Sequence, residues 1–173
     1  MDVRIEAGAK TDWFVDPGTE AVTANAPSRL EPAPAGDFML SALVEAELRE
    51  TFDAGALVVW ANDRTWAKLA LERNPEGRPT IVSVVTRGVS DDCNSYALAG
   101  ARAWLRIARI GAAYAFHASE NGERWQLIRH FRLDADGVRI GFESQSPLGE
   151  GCAATFSHCE LVQGTLADLR DGS

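Results

Sequence analysis

The run from Thr65 to Arg73 alternates with a period of two, and that period admits a strand and excludes an amphipathic helix. Ala67, Leu69 and Leu71 fall on one face; Trp66, Lys68 and Glu72 fall on the other. Just ahead, Ala56 to Ala61 is apolar and β-branched, and Asn62-Asp63-Arg64 supplies turn chemistry. Asp53 to Arg73 therefore reads as a hairpin with one greasy face and one face of tryptophan, lysine and carboxylate.

The rest of the chain repeats the pattern. Strands are expected over Phe38 to Glu47, Thr80 to Arg87, Arg102 to Arg109, Ala112 to Ser119, Arg124 to Phe131, Val138 to Ser144 and Ala153 to Val162. Ala42 to Glu50 has helical propensity, but Phe38, Leu40, Ala42 and Val44 alternate, and the alternation decides for a strand. Gly111, Asn121-Gly122 and Asp136-Gly137 punctuate the series. Gly88 to Gly100 reads as a polar loop. Residues 1–36 read as irregular, with short edge strands at Trp13-Phe14-Val15 and Ala21 to Ala26 and a stiff connector from Pro27 to Gly36. Residues 163–173 form a tail, where Leu166 to Arg170 alone shows helical periodicity. Short strands at this spacing imply an all-β, single-domain β-sandwich over residues 1–173.

Parity also assigns the core. Leu57, Val59, Leu69, Leu71, Leu105 and Ile107 should share one buried layer. Tyr114 and Phe116 should face inward and His117 outward, and Trp125, Leu127 and Phe131 are expected in the core. On Arg102 to Arg109 the outward set is Arg102, Trp104 and Arg106, which resembles Trp66, Lys68 and Glu72 in chemistry.

Length and charge exclude several function classes. A chain of 173 residues is economical as one domain and buries a core comfortably. A net charge of -8 disfavours nucleic acid and anionic membrane as partners. No apolar run spans a bilayer, and the N-terminus lacks a signal peptide's basic start and apolar middle. Cys93, Cys152 and Cys159 are odd in number and lack zinc-site spacing. A cytoplasmic protein with free thiols is the expectation. No cofactor is expected, because no phosphate loop, nucleophile elbow or metalloprotease helix occurs. Ser90 to Ser95 is oxygen-rich without EF-hand spacing and reads as a solvated turn.

Several stretches in order carry a family resemblance: Asp53-Ala-Gly-Ala-Leu-Val-Val, Trp66-Ala-Lys68 with Glu72, Ser83-Val-Val-Thr86-Arg87, Trp104-Leu105-Arg106, Ser119-Glu-Asn-Gly122, and Gly149-Glu-Gly151 with Thr155-Phe156. From about Trp13 to Leu161 the chain resembles an uncharacterised family named after a yeast regulator of enolase. The resemblance implies a concanavalin A-like jelly roll with one concave sheet, similar to lectins and glucanases, and implies little about chemistry. Asp92-Cys93 departs from it, since members of that family usually place an aromatic there. By parity and resemblance together, Trp66, Lys68, Glu72, Trp104 and Arg106 are expected on the concave face, with Arg87 and Gln145 as neighbours. A structural reading competes for each: the tryptophans pack under loops, and Lys68, Glu72 and Arg106 form an ion network between strands.

Aromatic rings stack on pyranose faces while charged groups bond hydroxyls, so a non-catalytic carbohydrate- or metabolite-binding module is the leading expectation. The alternative is a regulatory domain with a protein partner on the same surface. A cryptic glycoside hydrolase or lyase is third. Retaining glycosidases need two carboxylates about 5 Å apart. The E-x-D-x-x-E run of this fold's glucanases is absent, and Glu72 stands with only Glu143 as a second candidate.

Overall fold

The computed structural model describes residues 2–173 and is built from fourteen strands, with no helix among the described residues. One six-stranded sheet runs β1 (Val3–Gly8), β14 (Gly151–Gln163), β5 (Phe38–Ala46), β10 (Arg102–Ile110), β11 (Ala113–Ser119), β12 (Gln126–Arg132). The other runs β4 (Ser28–Pro32), β13 (Arg139–Gln145), β6 (Ala54–Asn62), β7 (Thr65–Arg73), β8 (Pro79–Arg87), β9 (Val89–Ala97). A small hairpin of β2 (Trp13–Val15) and β3 (Val22–Ala24) completes the fold. No helix is long and apolar enough to cross a membrane.

The core lies between the sheets. Leu57, Val59, Leu69 and Leu71 from the second sheet meet Leu105 and Ile107 from the first, and all six are fully buried. Each such side chain contributes roughly 1.5–3 kcal/mol by leaving water. Gly55 marks the closest approach of the layers, since a Cβ there would lie 2.6 Å from the Ala154 Cβ. A second apolar cluster lies outside this sandwich. Trp13 packs with Ala54, Ala56, Ala70, Val82 and Val84 on the outer face of the second sheet, where small side chains leave room for the ring.

Four local expectations are corrected. Gly88 to Gly100 is no loop: Val89–Ala97 forms β9, an edge strand whose solvated side chains tolerate the polar sequence. Within the expected irregular start, Val3–Gly8 pairs with β14 and Ser28–Pro32 pairs with β13. Both are edge strands; Val3–Gly8 alternates, with Ile5 and Ala7 buried, and was legible in the sequence, whereas Ser28–Pro32 offers only Leu30 as a half-buried apolar position. Leu166 to Asp168 is irregular and a turn runs from Leu169 to Gly172, where the Leu169 and Gly172 carbonyls accept hydrogen bonds from the first sheet in place of a helix. Trp125 lies outside the core, under the Arg106 guanidinium on the outer face of the first sheet, 4.2 Å from ring centre to Cζ.

Candidate functional site

Register places one set of polar residues together on the outer face of the second sheet. Lys68 on β7 stands opposite Val84 on β8, which stands opposite Asp92 on β9. One pleat along, Ala70, Val82 and Asn94 form the next row. In the following row Glu72 stands opposite Ala54, and Ala54 opposite Gln145 on β13. The β2–β3 hairpin closes one side. It is pinned where the Val15 amide donates to Ser90 Oγ at 2.9 Å, and Ser90 Oγ lies 2.8 Å from Thr86 Oγ1. The result is a cleft of about 290 Å³ whose walls include Phe14, Phe52, Lys68, Glu72, Val82, Asp92 and Asn94.

Lys68 is 1% exposed and holds the cleft's corner. Its ammonium donates to the Trp13 carbonyl at 2.8 Å, to Asp12 Oδ1 at 3.2 Å and to Gln145 Oε1. The Trp66 ring lies 5.4 Å away, within cation–π range. Burial opposes the charge on Lys68, but Asp12, Glu143 and Glu72 outweigh it and hold the pKa above the ordinary lysine value. Gln145 is also committed at its other end, where Nε2 donates to the Phe52 carbonyl at 3.1 Å.

Glu72 differs from these. It is 9% exposed, lines the cleft and makes no hydrogen bond among the described residues. Burial pushes its carboxyl up to about 8, with Lys68 pulling the other way. Glu143 sits on the same face of β13, wholly buried, with neither carboxylate oxygen partnered. Burial pushes it up to about 7. Glu143 is not part of the cleft wall. Among the described residues no cluster of carboxylate, histidine and cysteine groups could hold a metal ion.

Trp66, Lys68, Glu72 and Gln145 thus share one face, as the strand parity suggested. Trp104 and Arg106 do not join them. They lie on β10 in the other sheet, on its opposite outer face, so the single five-residue face is corrected. Alternation identifies an outward side chain but cannot say outward from which sheet. There Arg106 Nη2 donates to the Gly172 carbonyl at 2.7 Å, and His117 Nε2 bonds the Leu169 carbonyl at 2.8 Å. These contacts fasten the C-terminal tail across the first sheet. Trp104 packs against His158, with ring centres 5.5 Å apart. Arg87 is also outside the cleft. It shares its parity with the buried Ile81 and Val85, and at the strand end it reaches the Arg132 carbonyl. Trp66 itself is 2% exposed and meets Trp13 in a tilted contact with ring centres 6.2 Å apart, so its ring is packed beneath the hairpin. The polar cleft residues Asp12, Asp92 and Asn94, and the apolar Phe14, Phe52, Pro75, Val82 and Val84, were not assigned to a site from the sequence.

Two antiparallel sheets packed face to face place the chain in the lectin-like, jelly-roll class of folds. The chain belongs to a family of unknown function, DUF1349, whose model matches residues 1–163. It is similar to a functionally unknown protein from Saccharomyces cerevisiae, at 21% identity and a TM-score of 0.86, covering 94% of this chain and 88% of that one. It is also similar to a GH43 protein from Bacillus licheniformis, at 13% identity and a TM-score of 0.80, covering 94% of this chain and 33% of that one. This chain thus spans a third of that protein. A legume lectin-like domain from Entamoeba histolytica shares 12% identity with a TM-score of 0.55, covering 94% and 90%. No curated protein sequence matches the chain. At these identities the likeness concerns the fold alone.

Proposed function

We propose that the protein is a non-catalytic binding module that takes a carbohydrate or sugar-like metabolite in the cleft on its second sheet. The observation that carries the reading is the cleft itself: about 290 Å³, walled by Phe14, Phe52, Val82 and Val84, with Glu72, Asp92 and Asn94 facing into it. Apolar walls suit the C–H face of a pyranose, and a few fixed polar groups suit its hydroxyls. The resemblance to lectin-like and glycoside-hydrolase-associated sandwiches supports the same class. Glycoside cleavage is the weaker reading: of the carboxylates that share the cleft wall with Glu72, Asp12 is held in an ion pair by Lys68 and Asp92 lies exposed on the edge strand, and Glu143 lies outside the wall. The net charge and the free thiols support a cytoplasmic protein with neither nucleic acid nor membrane as partner.

The test is a glycan and metabolite screen on the wild type, followed by titration of any hit against Asn94→Ala and Phe14→Ala. Affinities of micromolar to millimolar order are expected for so small a site. Both variants should weaken binding by roughly tenfold with little change in melting temperature. Absence of any hit, or hits indifferent to both substitutions, would turn the assignment to the alternative: a domain that regulates an enzyme through a protein contact, as the yeast family's name suggests.

A further inference from the structure

Resting on that reading of the cleft, we infer that its ligand is a sugar bearing a protonated amine, with the ammonium seated on the Glu72 carboxylate and the hydroxyls on Asp92 and Asn94. The argument is an inventory of protons. An ammonium carries three donors, and Lys68 spends its three on Asp12, the Trp13 carbonyl and Gln145. Lys68 therefore has none to offer an anionic ligand, although it is the only cationic side chain in the cleft wall. Gln145 accepts from Lys68 at Oε1 and donates one of its two amide hydrogens to the Phe52 carbonyl. The remaining polar side chains of the wall are Glu72, Asp92, the second oxygen of Asp12 and the Asn94 amide, so with Glu72 ionised the wall is rich in acceptors, and its side-chain donors are the Asn94 amide and the second N–H of Gln145 Nε2. A ligand matching this wall must bring donors, and preferably positive charge.

Glu72 is the second, independent sign. It is more than nine-tenths buried, borders the cavity and has no hydrogen-bond partner among the described residues. A carboxyl that is so largely buried, borders the cavity and lacks a protein partner is placed to accept from a donor that enters the cleft. The groups facing it are Lys68 on its own strand, Asp12 before the lid hairpin, Glu143 on β13 and Asp92 on β9, so three of the four are acidic. In the empty cleft it keeps its proton near neutral pH, because burial holds its pKa at about 8. An incoming ammonium reverses that preference, and the Glu72 proton leaves to solvent as the ion pair forms.

The experiment is calorimetry on the full chain with matched methyl pyranosides of gluco, galacto and manno configuration. Each is used in three forms: the neutral sugar, its counterpart with a primary amine replacing the exocyclic hydroxyl, and the uronate. For whichever configuration binds, the amine should bind at least about tenfold more tightly than the neutral sugar, and the uronate should bind worst. Repeating the amine titration in buffers of different ionisation enthalpy should show net proton release near neutral pH. In Glu72→Gln the ratio of amine to neutral-sugar affinity should fall to about one and the proton release should vanish. A neutral sugar or uronate that binds as well as the amine overturns this inference and leaves the carbohydrate reading standing. An amine advantage that persists in Glu72→Gln overturns the assignment to Glu72. Binding by none of the probes overturns the inference as well, and a hit of another chemistry in the glycan and metabolite screen would then show the carbohydrate reading surviving without it.

Discussion

The Lys68 ammonium lies 3.2 Å from the Asp12 carboxylate, joining the centre of the second sheet to the segment that leads into its lid. Lys68 is almost wholly buried and Asp12 only partly so. The pair therefore fastens the β2–β3 hairpin over the cleft and does more than decorate a surface.

Removing the ammonium should be severe. Lys68→Met leaves Asp12, Gln145 and the Trp13 carbonyl without their shared donor, and a loss on the order of 3–5 kcal/mol is expected in urea melts. A loss below about 1 kcal/mol would show that Lys68 is a loosely held ligand-binding side chain.

Stability should depend on pH through Glu72 and Glu143. Both keep their protons in the folded chain up to about 8 and about 7, against 4.5 for an ordinary carboxyl. The stability they contribute is fully present below 4.5 and is lost as pH rises through 7 and 8. His117 works in the opposite sense, because burial lowers it to about 4 from 6.5 and its contribution is lost as pH falls through that window. Subtracting the Glu72→Gln profile from the wild type isolates one carboxyl. The difference should fall with rising pH between the two values, at no more than about 1.4 kcal/mol per pH unit. A flat difference would place Glu72 in contact with bulk water.

Arg106 and Gly172 should affect the tail and spare the cleft. Gly172 has φ 77°, and a Cβ there would lie 2.5 Å from Arg106 Nη2 and 2.6 Å from the Trp125 Cβ. Gly172→Ala and Arg106→Ala should both raise amide exchange in residues 165–173 and red-shift Trp125 fluorescence. The expected cost is on the order of 1–2 kcal/mol. Ligand affinity should stay within error. A loss of binding in Arg106→Ala without a change in tail exchange would restore Arg106 to the site.

The thiols should differ sharply. All three cysteines are free; Cys93 is exposed, Cys159 half-buried and Cys152 buried, with burial pushing the Cys152 thiol up to about 11. Denaturing, non-reducing titration should count three thiols. Native labelling followed by peptide mapping should modify Cys93 first and Cys152 last. A count of one would reveal a disulfide.

The core should respond by cavity formation. Leu105→Ala, at a fully buried position between the sheets, should cost on the order of 2–5 kcal/mol. A cost under about 1 kcal/mol would mean that β10 presents its other face to the core.

The strands that bury one face were legible because alternation reports burial directly: β6, β7 and β10 put Leu57, Leu69 and Leu105 inward as read. Edge strands were less so. In β9 the row Asp91 to Ser95 is solvated on both faces, and a solvated strand has the composition of a loop. Arg87 was excludable in principle, since it shares parity with Val85. Trp104 and Arg106 were not, because two outer faces of one sandwich obey the same pattern and only the pairing of β10 with β5 separates them. The lid residues Asp12 and Phe14 reach the cleft through contacts far apart in sequence, which no local period encodes.

The tail that crosses the first sheet bears on valency. The molecule's own Leu169 and Gly172 carbonyls occupy that face, and on the proposed reading the cleft behind the β2–β3 hairpin is the surface that engages a ligand. One copy of the chain then offers a single point of attachment. A polymer with many repeating units would be gripped weakly by one copy. Firm retention would come from several copies presented together, with the gain set by how far apart their clefts are held.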